Sequence, residues 1–346
     1  MSADPESLRT PLCDLLGCKY PVILAGMGGV ARSELAAAVA NAGGFPTLGM
    51  VREAPSLIIS EIEAYRRLSD RPFAVNLIPA ATDPGLLDQQ IETCLAMEVA
   101  VFSFFWDVVP EAVARVKEAG ALLLHQVGTL RAAREAEAAG ADVLISQGQD
   151  AGGHVHGRTP TFDLLRAVLD TTALPVVASG GICTGLALAE ALAMGAQGVQ
   201  CGTAFLATQE SFAHECHKRR IVDAGPQDTV LTDGFVLNWP KGSAVRVLRN
   251  SVTDGFGTDL MGHDPDAIPR EIIAHDGDIP RLRQSTDSPL RTTTGALEQM
   301  PHYAGTGLGE IVGIVPAARR LLDLCTEAAA LRGIAGRAQA PGEGAA

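Results

Sequence analysis

The chain has 346 residues, 47% apolar and only 4% aromatic, with a formal net charge of −13 that includes 27 lysines and arginines. This is enough apolar material for one large α/β domain or two smaller ones, and the scarcity of aromatics suits close-packed helices and sheet better than a β-sandwich. No basic run occurs, which argues against nucleic acid or an anionic membrane as partner.

Short apolar runs alternate with alanine-rich amphipathic runs. Strands are predicted at 22–25, 46–49, 73–76, 100–104, 121–126, 142–146, 176–179 and 198–202. Helices are predicted between them, at 33–42, 56–68, 86–97, 111–119, 130–139, 162–169 and 186–194. The strands are short and apolar, as strands covered on both faces must be. Glycine closes several helices, at Gly43, Gly120, Gly140 and Gly195, where a left-handed stop is expected. Eight such units over about 200 residues predict a (β/α)8 TIM barrel, with a doubly wound open sheet as the competing arrangement. The barrel proper is expected to comprise 1–211 and 301–335. Residues 212–300, richer in Pro, Asp and Thr, read as an insertion covering the barrel mouth, and 336–346 as a flexible tail.

A TIM barrel carries its chemistry at the C-terminal ends of its strands and binds phosphate after strands seven and eight. Strand seven ends in Ser179-Gly180-Gly181 and strand eight in Gly202-Thr203. Both offer backbone N–H groups on small residues, which can hold an anion without a lysine. Met27 follows strand one, Asn76 ends strand three, Gln126 ends strand five and Gln147 follows strand six. These uncharged groups suit a flat heteroaromatic ring with several donors and acceptors, although each could instead serve core packing or buried backbone. After strand six comes Gly148-Gln149-Asp150-Ala151-Gly152-Gly153-His154-Val155-His156-Gly157. Paired glycines allow close backbone approach, and His154 can exchange a proton near neutral pH. A glycine-rich surface loop with a solvated histidine is the plain alternative.

In this order the segments 21–27, 73–77, 148–157, 178–182 and 198–205, together with Tyr303-Ala304-Gly305, resemble the FMN-dependent nitronate monooxygenases, also called 2-nitropropane dioxygenases. The resemblance implies one noncovalent FMN. Its phosphate would lie against Gly180, Gly181, Gly202 and Thr203, with Ser179 nearby. Its ring would rest near Ala25, Gly26 and Met27, bordered by Asn76, Gln126, Gln147, Gly152 and Gly153. His154 matches the family's base. The implied activity is oxidation of alkyl nitronates, and of neutral nitroalkanes, with O2 to a carbonyl compound and nitrite. Three positions depart from common family usage: Gln126 where some members have lysine, Gln147 where some have an acid, and Thr306 where glutamine is frequent. Relatives in the same superfamily reduce enoyl thioesters or quinones with NAD(P)H, which is the alternative reading. A barrel that merely carries a phosphorylated ligand is a third, but it leaves His154 without a task.

Other signals carry less. Glu210, His214 and His217 would share one helix face, but the spacing is not that of a zinc protease, and a solvated face is expected. Gly305-Thr306-Gly307-Leu308-Gly309 lacks the spacing of a dinucleotide loop. His156 is expected to face solvent, and Cys201 to be a buried small hydrophobe. Seven cysteines without a C-x-x-C pair, and an N-terminus without an apolar signal core, predict a reduced, cytoplasmic protein. No apolar stretch reaches the length of a membrane span.

Overall fold

The computed structural model describes residues 4–339. Eight parallel strands form the barrel: β1 (Val22–Leu24), β2 (Thr47–Gly49), β3 (Ala74–Leu77), β4 (Val101–Phe105), β5 (Leu122–Val127), β6 (Val143–Gln147), β8 (Val176–Ser179) and β9 (Gly198–Cys201). A further strand, β7 (Gly153–Val155), lies outside it. The order β1-β9-β8-β6-β5-β4-β3-β2 returns on itself. Phe45, just before β2, bridges Ile23 of β1 and closes the cylinder. The arrangement is a (β/α)8 TIM barrel, and each predicted barrel strand is present within a residue or two of its expected bounds.

Alternation along the strands explains both the core and the site. Successive side chains point to opposite faces, so Ala74, Val101, Leu124, Ile145 and Val177 meet in the barrel lumen, while Val75, Phe102, Leu123, Leu144 and Ala178 pack outward on the helices. The helix Pro11–Leu16 plugs the lower end of the lumen with Leu12, Cys13 and Leu16. Two residues further up the same strands, the lumen face becomes polar: Asn76, Ser103, Gln126, Gln147 and Ser179. An apolar floor under a polar rim therefore follows from strand periodicity alone.

After β9 and the short helix Thr203–Leu206 the chain leaves the barrel. The excursion begins and ends side by side, since Thr208 bridges Val315. Between them lie β10 (Thr229–Thr232), β11 (Ala244–Leu248), β12 (Ile272–Asp276), β13 (Ile279–Leu282) and β14 (Thr293–Gly295). They form two three-stranded sheets, β10-β11-β7 and β13-β12-β14. The chain then returns in the helix Ala317–Gln339, whose first N–H is accepted by Glu210 Oε2 at 2.8 Å, and which packs on the helix Gly185–Ala193. That helix runs through the start of the tail expected from 336, and the remainder, 340–346, lies outside the described residues. Among the described residues no helix is long and apolar enough to cross a membrane.

Candidate active site

One cavity of about 760 Å3 opens at the C-terminal end of the barrel. Ala25, Gly26, Met27, Asn76, Gln126, Gln147, Gly152, Gly153, His154, Ser179, Gly180, Gly181, Gly202 and Thr203 all line it. The structure thus brings His154 and every residue of the expected cofactor site to one cavity.

The lumen polar groups are held by one another and by backbone. Asn76 Nδ2 donates to the Ser103 carbonyl at 2.9 Å. Gln200 Nε2 donates to Gln126 Oε1 and lies 3.4 Å from Ser179 Oγ. Sequence reading missed Gln200, although the signal was available: it stands two residues above Gly198 on the lumen face, as Gln126 does above Leu124.

At the other end, the turn after β8 places Gly180 at φ 114° and Gly181 at φ 69°. A Cβ on Gly181 would press on Asp150 Cβ at 3.2 Å and Thr306 Oγ1 at 3.1 Å. Gly307 approaches so closely that a Cβ would sit 2.2 Å from the Gly181 carbonyl oxygen. Gly307 thus packs against this turn, Gly305 against Asp150 and Gly309 against Pro226, around a 3-10 turn Thr306–Glu310 rather than in a dinucleotide loop. Among the described residues, the N–H groups of Gly180, Gly181, Gly202 and Thr203 donate to no carbonyl or side chain. Four unsatisfied donors on small residues fit a phosphate, and the amide-lined lumen fits a flavin ring.

His154 is on no plain loop. It sits on β7, which pairs antiparallel with β11, with Val245 opposite His154. Gln147 Nε2 fixes this strand by donating to the His154 carbonyl at 3.0 Å. Gly152 permits the packing, because a Cβ there would lie 2.6 Å from the backbone of Ala304 and Gly305. The imidazole stacks on Trp239, with ring centroids 3.5 Å apart, and is bordered by Tyr303 at 5.8 Å and Trp106 at 6.3 Å. Its Nε2, like Gln147 Oε1 and Trp239 Nε1, is buried without a hydrogen-bond partner. Burial, and secondly the charge of Arg52, pushes its pKa down to about 3, so the ring is neutral and able to accept a proton at neutral pH.

Two expectations fail nearby. His156 does not face open solvent: it is half-buried, packs on Trp106 at 4.6 Å and pairs with Asp107 at 3.1 Å. Nor do Glu210, His214 and His217 share a solvated helix face. The helix starts only at Glu215, His214 caps it by accepting from Cys216 N at 3.1 Å, and His217 is fully buried with Nε2 3.0 Å from the Tyr303 carbonyl oxygen. His217 thereby supports the Tyr303 side of the cavity, a long-range contact that local spacing cannot reveal. Among the described residues no three His, Cys, Asp or Glu side chains come together to hold a metal. Cys201 is buried, and burial raises its pKa well above the usual thiol value.

A profile of the nitronate monooxygenase family matches residues 9–327. The chain belongs to that family. It is a flavin-dependent oxidoreductase in the company of its relatives. It is 39% identical over 250 residues to a "(3aS,4S,5R,7aS)-5-hydroxy-7a-methyl-1-oxo-octahydro-1H-indene-4-carboxyl-CoA dehydrogenase" of Mycobacterium tuberculosis, covering 71% of this chain and 68% of that one. It is 32% identical over 312 residues to a nitronate monooxygenase of Paraburkholderia phytofirmans, covering 78% and 83%. Among solved structures, the nitroalkane oxidase of Streptomyces ansochromogenes superposes with a TM-score of 0.77 at 31% identity, covering 94% of this chain and 99% of that one.

Proposed function

We propose that this family member binds FMN and oxidises alkyl nitronates, and neutral nitroalkanes, with O2 to a carbonyl compound and nitrite. The observation that carries the reading is the buried, unpartnered Nε2 of a neutral His154 in the wall of a cavity whose far end offers four free N–H donors. Gly180, Gly181, Gly202 and Thr203 would hold the phosphate, and Ala25, Gly26 and Met27 would border the ring. When bound, the cofactor supplies the electron transfer between substrate and oxygen. The chain's own residues do the rest. For a neutral nitroalkane, His154 Nε2 accepts the α-proton. Trp239, Tyr303 and Trp106 shield that nitrogen from water, and Gln147 keeps β7 in place through the His154 carbonyl. For a preformed nitronate no proton has to be taken. Seven free thiols support a reducing, cytoplasmic setting.

A second reading is an FMN-dependent oxidoreductase of thioesters using a pyridine nucleotide. It is favoured by the reach of the cavity, which continues past His154 to Arg270, Ile272 and Ile279, beyond what a short alkyl nitronate fills. The CoA-thioester name borne by the Mycobacterium relative points the same way.

The purified protein should be yellow and release FMN on heating. A colourless protein that takes up no added FMN contradicts both readings. Anaerobic bleaching by NADH or NADPH, without nitrite formation from a nitronate under air, selects the second.

A further inference from the structure

We propose that Arg52 is a substrate-contacting residue that receives the negative charge of a planar oxyanion formed or bound beside His154. The inference rests on the proposed reading for its substrate class, a carbon acid whose anion is delocalised onto oxygen.

Arg52 follows β2 and lines the cavity. Its backbone is left-handed, at φ 56°, a conformation a non-glycine side chain rarely adopts and which persists chiefly where surrounding contacts enforce it. Those contacts are visible. Its Nη1 donates to the Asn238 carbonyl and its Nη2 to Thr286 Oγ1 at 3.1 Å, while its guanidinium carbon lies 5.6 Å from the Trp239 ring centroid. Trp239 is the ring stacked on His154. The guanidinium is thus held one aromatic ring away from the base, with N–H donors to spare.

Charge sharpens the point. The chain carries a net −13, yet among the described residues no carboxylate stands within ion-pairing distance of Arg52. Arg281, another arginine of the cavity, is instead tied to Asp276 at 3.1 Å and Asp287 at 3.2 Å. Burial raises the pKa of the neighbouring Glu53, against the opposing charges of Arg32, Arg281 and Arg52, and among the described residues Glu53 makes no ion pair with Arg52. A cation anchored by neutral acceptors retains its field for a ligand, and the planar fork matches a nitronate or an enolate. In a deprotonation the C–H bond breaks, the proton passes to His154 Nε2, and the electron pair moves onto the oxygens facing Arg52. The same base on its own, disfavoured as a cation by burial, gains from an anion formed next to it.

Nitrate, a planar oxyanion, is the probe. Titrate it into the FMN-loaded protein, following flavin absorbance and tryptophan fluorescence, for wild type, R52K, R52M and T286V. R52M should weaken nitrate binding at least tenfold, with R52K intermediate, T286V within threefold of wild type, and FMN retained in all. Nitrate binding by R52M within twofold of wild type overturns the proposal. So does an equal loss in T286V, which would make Arg52 an anchor for the 238–286 segment only, and so does the lack of saturable binding in wild type. Nitrate binding through Arg52 without nitrite release from a nitronate would sink the nitronate reading and leave this one standing.

Discussion

The imidazole of His154 stacks on the indole of Trp239, with centroids 3.5 Å apart and planes inclined by 23°. The two residues are 85 positions apart, one on β7 and the other in the excursion that follows β9. Their contact is where β7 meets the segment that follows the barrel.

Replacing Trp239 with alanine should expose His154 and raise its pKa from about 3 toward the usual value, because burial is the main cause of the depression. The base acts only when neutral. The acid limb of kcat/KM for a neutral nitroalkane should therefore move up by one unit or more in W239A. W239F, which keeps a ring there, should move it far less. An unmoved limb in W239A would detach the stack from the proton chemistry.

His154→Asn should separate two substrates. Loss of a general base costs about 10^2- to 10^4-fold. Nitrite release from a neutral nitroalkane should fall by that order, while release from the preformed nitronate stays within about tenfold. Equal losses on both would argue that His154 binds substrate and takes no proton.

Gly181→Ala should weaken FMN. The left-handed backbone at Gly181 and the tight contacts to Asp150 and Thr306 leave an alanine strained by about 1 kcal/mol or more, and relief would displace the turn proposed to hold the phosphate. An FMN Kd raised roughly tenfold in a fluorescence titration is expected. An unchanged Kd would place the phosphate elsewhere.

Acid should destabilise the fold early. Burial holds His154 near 3, His125 and His217 near 4, and His302 well below the usual value. Unfolded histidines bind protons near pH 6.5, so the native state is favoured fully above that pH, and the advantage is lost as pH falls from about 6.5 toward 4. Each histidine contributes at most about 1.4 kcal/mol per pH unit there. Tm should drop by several degrees between pH 7 and 5 with FMN in excess, before most carboxylates titrate. A flat Tm over that interval would mean that these rings are not held neutral.

The barrel was legible because two local signals coincide: strand-length apolar runs, and glycines such as Gly120 and Gly140 that end helices in left-handed geometry. The lumen side of the site was legible for the same reason, since strand periodicity puts Gln126 and Gln147 on the face of Leu124 and Ile145. Gln200 obeys the same rule and was overlooked. Arg52, Trp239 and the support from His217 follow no local rule. Arg52 needs an enforced positive φ, Trp239 reaches the site through a long excursion, and His217 acts through a carbonyl 86 residues away. The pairing of β7 with β11 likewise turns a glycine loop into an ordered strand, which no pattern within 148–157 could announce.

The most direct measurement is nitrite formed and O2 consumed when the purified, FMN-loaded protein meets a preformed alkyl nitronate in air, with anaerobic NADH and NADPH additions run in parallel. The expected result is rapid nitrite release with O2 uptake and slow or no bleaching by either nucleotide. Rapid bleaching by a nucleotide with no nitrite would contradict the nitronate assignment and move the chain to the thioester reading.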